Sequence, residues 1–87
     1  MEIEWDAEKD AANRAKHGVG LAEAARLDWA TAVEIGDTRR DYGEVRRCAY
    51  LYRGARLFVC VYTRRDGRKR IISPRKANKR EERRHGR

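Results

Sequence analysis

Few residues in this 87-residue chain have the chemistry to act on another molecule: His17 at the end of a predicted helix, Glu44 entering a predicted strand, and a large set of arginines. There is no nucleophile motif, no glycine-rich phosphate loop and no pair of carboxylates sharing a helical face. What remains suffices for one reaction. RNA carries its own nucleophile in the 2′-hydroxyl, so its cleavage needs a base for that proton, an acid for the leaving 5′-oxygen and cations for the extra phosphate charge. Arginine suits the last role, because its planar fork grips two phosphate oxygens and stays charged. The candidate catalytic set is His17 and Glu44 with Arg46, Arg70 and Arg75, the arginines that predicted strands hold in place, and Lys16, Arg64, Arg65 and Arg68 are further candidate contacts to nucleic acid.

Each candidate also has a purely structural reading. His17 either exchanges a proton with substrate or favours a helix dipole beside Gly18. Glu44 either handles the 2′-hydroxyl or pairs with Arg46 or Arg47, and Lys9 and Lys16 read as solvated unless the helix end faces a groove in the sheet. Arg46, Arg70 and Arg75, held rigidly by strands, bind phosphate or guard a sheet edge against pairing. Arg64, Arg65 and Arg68 flank a turn and add diffuse affinity, while Trp5 and Trp29 read as core anchors before base-stacking platforms.

A two-strand unit, Leu57 to Thr63 and Lys69 to Ser73, joined at Asp66-Gly67, must hold these arginines. Before it come a short edge strand (Glu2 to Trp5) and a helix from Ala7 to His17, capped by Asp6 and ended by Gly18. Its alanines 7, 11, 12 and 15 suggest close approach to a sheet. A second helix is expected from Gly20 or Leu21 to Trp29, a strand over Ala30 to Ile35, a loop over Gly36 to Gly43, and a strand over Val45 to Tyr52. Both faces of Leu57 to Thr63 are apolar, so both need cover. Pro74 is expected to break the pairing, and Arg75 to His85 to be a weakly docked, mobile or partner-ordered segment.

At this length there is room for one small core, read as a domain over residues 1–75 followed by a basic tail over 76–87. Net charge is +8, unevenly placed: residues 1–63 hold ten Lys/Arg and eleven Asp/Glu, residues 64–87 twelve and three. Such a block points to a polyanion or an acidic partner. A non-catalytic nucleic-acid-binding protein is thus the alternative function. No apolar run is long enough for a membrane helix, and the acidic N-terminus MEIEWDAE has no apolar signal-peptide region, so the expected location is the cytoplasm. Cys48, Cys60, His17 and His85 lack metal-ligand spacing, and no cofactor is expected.

Trp5-Asp6 before a helix, Lys9, Asn13, Lys16-His17-Gly18-Val19, Glu23-Ala24, Gly43-Glu44 with Arg46, Val61 to Thr63, and Arg70-Ile71-Ile72-Ser73 with Arg75 and Ala77 together resemble the BrnT toxins. The likeness runs in order along almost the whole chain. It implies an α+β, RelE-like fold with helices before a twisted antiparallel sheet, and a ribonuclease that halts translation. It further implies a cognate ribbon-helix-helix antitoxin, in a 2:2 complex that binds and represses its own promoter. Three positions depart from the family pattern: Leu21 replaces an aromatic, Pro74 an alanine and His85 an often-found tyrosine.

Overall fold

The chain's first turn of helix is set by one carboxylate. Asp6, in extended conformation, accepts hydrogen bonds from the backbone N–H groups of Glu8 (2.8 Å) and Lys9 (3.4 Å), and α1 runs from there over Ala7–His17. Gly18, at φ +72°, ends it by donating its N–H to the Arg14 carbonyl at 2.8 Å. The computed structural model describes residues 2–37 and 45–86, and in them α1 is preceded by β1 (Ile3–Glu4). A 3₁₀ helix (Leu21–Arg26) follows, then β2 (Asp28–Asp37), β3 (Arg46–Arg53), β4 (Arg56–Arg65), β5 (Arg68–Lys76) and α2 (Lys79–His85).

The five strands form one sheet in the order β1-β5-β4-β3-β2. β2 to β5 are an antiparallel meander, while β1 lies at the edge, as expected, but runs parallel to β5 and makes the sheet mixed. The β4–β5 turn is the one predicted: Asp66 (φ +52°) and Gly67 (φ +75°) are both left-handed, the geometry that matches the twist of a two-residue hairpin. The α+β class expected from the sequence is the one observed.

Both sheet faces are covered. The inner face packs Ala49, Leu51, Phe58, Cys60, Tyr62 and Ile71 against Val19, Leu21, Ala24 and Leu27. On the outer face Leu57 and Val59 meet Ala77, with Cys48, Tyr50 and Tyr52 alongside.

Several expectations fail for physical reasons. The second helix is a 3₁₀ helix that ends before Asp28, because its core residues Leu21, Ala24 and Leu27 recur every three positions. Trp29 lies in the next strand instead, and its indole N–H donates to the Ala24 carbonyl at 2.9 Å. The α1 alanines do not face the sheet: Ala7, Ala11, Ala12 and Ala15 are exposed, and the residue α1 buries is the polar Asn13. Trp5, read as a core anchor, is 40% exposed.

Pro74 is another. β5 continues through it to Lys76, with Pro74 opposite Cys60 and Arg75 opposite Val59. Ile72 is an extra residue in the ladder, a bulge that shifts register between Ser73 and Ile71. The Pro74 carbonyl accepts from the Asn13 side-chain amide at 2.9 Å, on the side away from β4. In an antiparallel strand a residue's N and O point the same way, so the missing N–H removes no bond to β4.

Nor is the last helix undocked. Asn78 and Glu81 form a reciprocal capping box, and α2 lies against the outer face. Cys48 and Cys60 form no disulfide, since the register places them on opposite faces of the sheet. The loop expected over Gly36 to Gly43 starts later, β2 reaching Asp37, and its remainder lies outside the described residues together with Glu44.

Candidate active site

Strand register decides which arginines meet. Tyr50 lies opposite Val59, which lies opposite Arg75; two residues along come Cys48, Val61 and Ser73; two further come Arg46, Thr63 and Arg70. Side chains alternate across a strand, so these three rows share the outer face, and Arg46, Arg70 and Arg75 with them. Arg75 stands four β4 residues from the Arg46–Arg70 row, roughly 13 Å at 3.3 Å per residue.

His17 reaches this face at the β5 margin. α1 runs along the edge of β5 that β1 leaves open, held there by Asn13, which is 7% exposed. The Asn13 amide donates to the carbonyls of Val19 (2.7 Å) and Pro74 (2.9 Å), and its oxygen accepts from the Ser73 hydroxyl (2.8 Å). A cleft of about 230 Å³ opens beside this clamp, lined by Lys9, Asn13, Lys16 and His17 from α1 and by Ile72 and Ser73 from β5. Partial burial lowers the His17 pKa below its usual 6.5, helped by the positive charges of Lys16 and Arg75. The lowering favours the neutral imidazole, the form that accepts a proton.

The arginines differ in their surroundings. Arg75 forms a two-pronged pair with Glu81, both bonds 2.7 Å, which raises its pKa and holds the Glu81 carboxyl below the usual glutamate range. Arg70 lies 3.3 Å from Glu4 and 3.9 Å from Asp6, so it ties β5 to β1 and to the start of α1. Arg46 is half-buried beside Thr63, whose hydroxyl donates to the Val45 carbonyl at 2.8 Å.

Of the turn arginines, Arg65 and Arg68 pair across the hairpin, and Arg68 meets Glu2 at 3.1 Å. Arg64 lies on the inner-face side with Tyr62 and Lys69, so it does not join the other candidates. Tyr62 hydrogen-bonds Glu34, and burial foremost pushes its phenol up to about 12. Lys69 sits 3.9 Å above the centre of the Trp29 ring.

Sequence reasoning passed over three residues of this region. Asn13 and Ser73 carried no role beyond their places in a motif, though a lone asparagine in an alanine-rich helix, one turn before His17, is a signal for a buried polar clamp. Glu81 has the spacing to pair with basic residues three or four positions away, and nothing in the sequence points to Arg75, six residues away.

A family model described as the ribonuclease toxin BrnT of type II toxin-antitoxin systems matches residues 5–81. The chain belongs to the BrnT family. No curated protein matches it. As a BrnT toxin it is a ribonuclease, with RNA as substrate and an antitoxin as partner. The matched span takes in His17, the outer-face arginines and Glu81, and ends before His85. Among the described residues, no helix of this BrnT chain is long and apolar enough to cross a membrane.

Proposed function

We propose that this BrnT toxin cleaves RNA without a metal ion, by attack of the 2′-hydroxyl oxygen on the adjacent phosphorus. His17 takes the hydroxyl proton, the P–O5′ bond breaks, and the leaving 5′-oxygen is protonated. The products are a 2′,3′-cyclic phosphate and a free 5′-hydroxyl. Glu44, on the segment entering β3, is the second proton-transfer group. Arg75 steadies the scissile phosphate, Arg46 and Arg70 hold its neighbours, and Lys16, Arg64, Arg65 and Arg68 attract the strand. Cutting messenger RNA in this way stops translation in the cytoplasm. The toxin is silenced by a ribbon-helix-helix antitoxin in a 2:2 complex that also represses its own promoter.

The observation that carries the chemistry is the placement of the His17 imidazole, in a cleft with Ser73, at the margin of a sheet face bearing three arginines. The test is cleavage of a defined RNA in EDTA, with the product ends identified. Cyclic phosphate ends that persist in chelator, and are lost with Arg75→Ala and with His17→Ala in folded protein, support the reading. Products ending in 5′-phosphate, or cleavage that requires a divalent ion, overturn it, and tight binding without cleavage identifies a nucleic-acid-binding protein.

A further inference from the structure

None of α2's described residues is buried, so apolar contact does not explain why it lies on the sheet. Polar and ring contacts hold it instead, with a longer Arg56–Glu82 pair at 3.8 Å beside them. Glu81 meets Arg75 with both carboxylate oxygens, each at 2.7 Å, the same fork that a guanidinium presents to a phosphate. One helical turn on, about 6 Å along the axis, the His85 ring stacks on Tyr50 with centroids 3.8 Å apart and planes 23° from parallel.

The two receiving residues are themselves a unit. Tyr50 and Arg75 belong to one cross-strand row with Val59 between them, on adjacent-but-one strands of the outer face. An anion gripped by the arginine and a flat ring laid on the tyrosine are the two contacts that one nucleotide of single-stranded RNA offers, its phosphate and its base. We propose that Tyr50 and Arg75 form a nucleotide subsite for single-stranded RNA, and that α2 occupies it as an internal mimic, with Glu81 in place of the phosphate and His85 in place of the base. This rests on the reading that Arg75 binds an RNA phosphate.

The surrounding structure suits a strap that opens. Ala77 is 2% exposed and donates its N–H to Leu57 at 3.0 Å, while its carbonyl accepts from Arg56 at 2.9 Å, so the chain is anchored just before the helix. Beyond that anchor, Lys79, Arg80, Arg83 and Arg84 are all exposed. Incoming RNA thus meets a cationic outer surface on α2 and competes beneath it for Arg75 and Tyr50.

Fluorescence anisotropy with a labelled 2′-O-methyl oligouridylate, which lacks the attacking hydroxyl, measures binding apart from cleavage. Glu81→Gln keeps the capping box and removes the negative charge that faces Arg75; Glu82→Gln makes the same charge change at a longer pair, 3.8 Å from Arg56. Glu81→Gln and His85→Ala are each expected to tighten binding about five- to tenfold, with Glu82→Gln changing it less than twofold. In the Glu81→Gln background, Tyr50→Leu should weaken binding about tenfold and Tyr50→Phe should not. Saturation of the wild-type protein should move the His85 ring proton resonances away from their stacked positions. Equal effects of Glu81→Gln and Glu82→Gln, or equal affinity of Tyr50→Leu and Tyr50→Phe, overturn the subsite. If the affinities behave as stated and no RNA is cut, the catalytic reading falls and the subsite stands; Arg75-dependent cleavage with flat affinities gives the reverse.

Discussion

The Ser73 hydroxyl donates to the Asn13 side-chain oxygen at 2.8 Å, joining a strand and a helix that are 60 residues apart in the chain. Asn13 spends its two amide hydrogens on the Val19 and Pro74 carbonyls, so one side chain fixes where α1, the Gly18 turn and β5 meet. The position of His17 on the outer-face margin follows from that bond set.

Asn13→Ala should therefore cost about 2–4 kcal/mol, since it leaves two buried carbonyls and a hydroxyl unsatisfied. Asn13→Asp should be no better, because it places an oxygen where both carbonyls need a donor. Ser73→Ala should cost about 1 kcal/mol. Urea denaturation of the three variants ranks them, and near-equal midpoints for Asn13→Ala and Ser73→Ala would refute the clamp.

For His17, the prediction concerns pH. Its pKa is lowered in the folded protein, so the folded state binds fewer protons than the unfolded chain as pH falls through the usual value of 6.5. Stability should decline there, down to the folded pKa, and His17→Gln should remove that component. The acid limb of kcat/KM should lie below pH 6.5, and the substitution should slow cleavage roughly 10²- to 10⁴-fold. A limb above 6.5 would contradict the proposed base.

The Glu81–Arg75 pair has the same sign at lower pH, but here the folded state favours the charged form. Glu81 is held below its ordinary value of 4.5, first by the Arg75 hydrogen bonds, so its contribution to α2 docking is complete above that value and is lost as pH falls through the folded pKa. The His85–Tyr50 ring contact, followed by NMR, should weaken on acidification below pH 4.5 in the wild type. In Glu81→Gln it should be weaker at neutral pH and should lack this acid step.

Pro74→Ala should be mild. The ring nitrogen does not face β4, so the substitution restores no ladder bond and mainly frees the unfolded chain, at about 0.4–1 kcal/mol. Thermal unfolding should show a small decrease with cleavage retained. A clear gain in stability would mean that a strand bond had been missing.

Cys60 should resist alkylation in the native protein. It is fully buried on the inner face, and burial pushes its thiol up to about 12. Mass spectrometry after iodoacetamide treatment should show Cys60 labelled only at the rate of unfolding.

Much of the fold can be read locally. Asp6 and Gly18 bound α1 through contacts within four residues, and Asp66-Gly67 sets the β4–β5 turn through its own backbone angles. The apolar alternation of Leu57 to Thr63 announces a strand with two covered faces, which is what β4 is. Where reading failed, longer contacts won. Ala-rich spacing in α1 suggests packing, but the helix lies along an edge where a polar clamp matters and its alanines stay in solvent. Pro74 looks like a strand breaker until the direction of its carbonyl is known.

The sequence by itself determined the order and class of the elements, the basic end of the chain, the residue types available for acting on RNA, and a family likeness that the match over residues 5–81 bears out. Tertiary structure decided which of those residues share a surface. Register across three strands, shifted by the Ile72 bulge, puts Arg46, Arg70 and Arg75 on one face and leaves Arg64 on the other. It also decided that α2 docks, because its hold on the sheet is made of ion pairs to Arg75 and Arg56 and a ring stack on Tyr50, partners that lie on three different strands. Periodicity records which residues avoid water, and such directional contacts between distant polar groups leave no periodic trace.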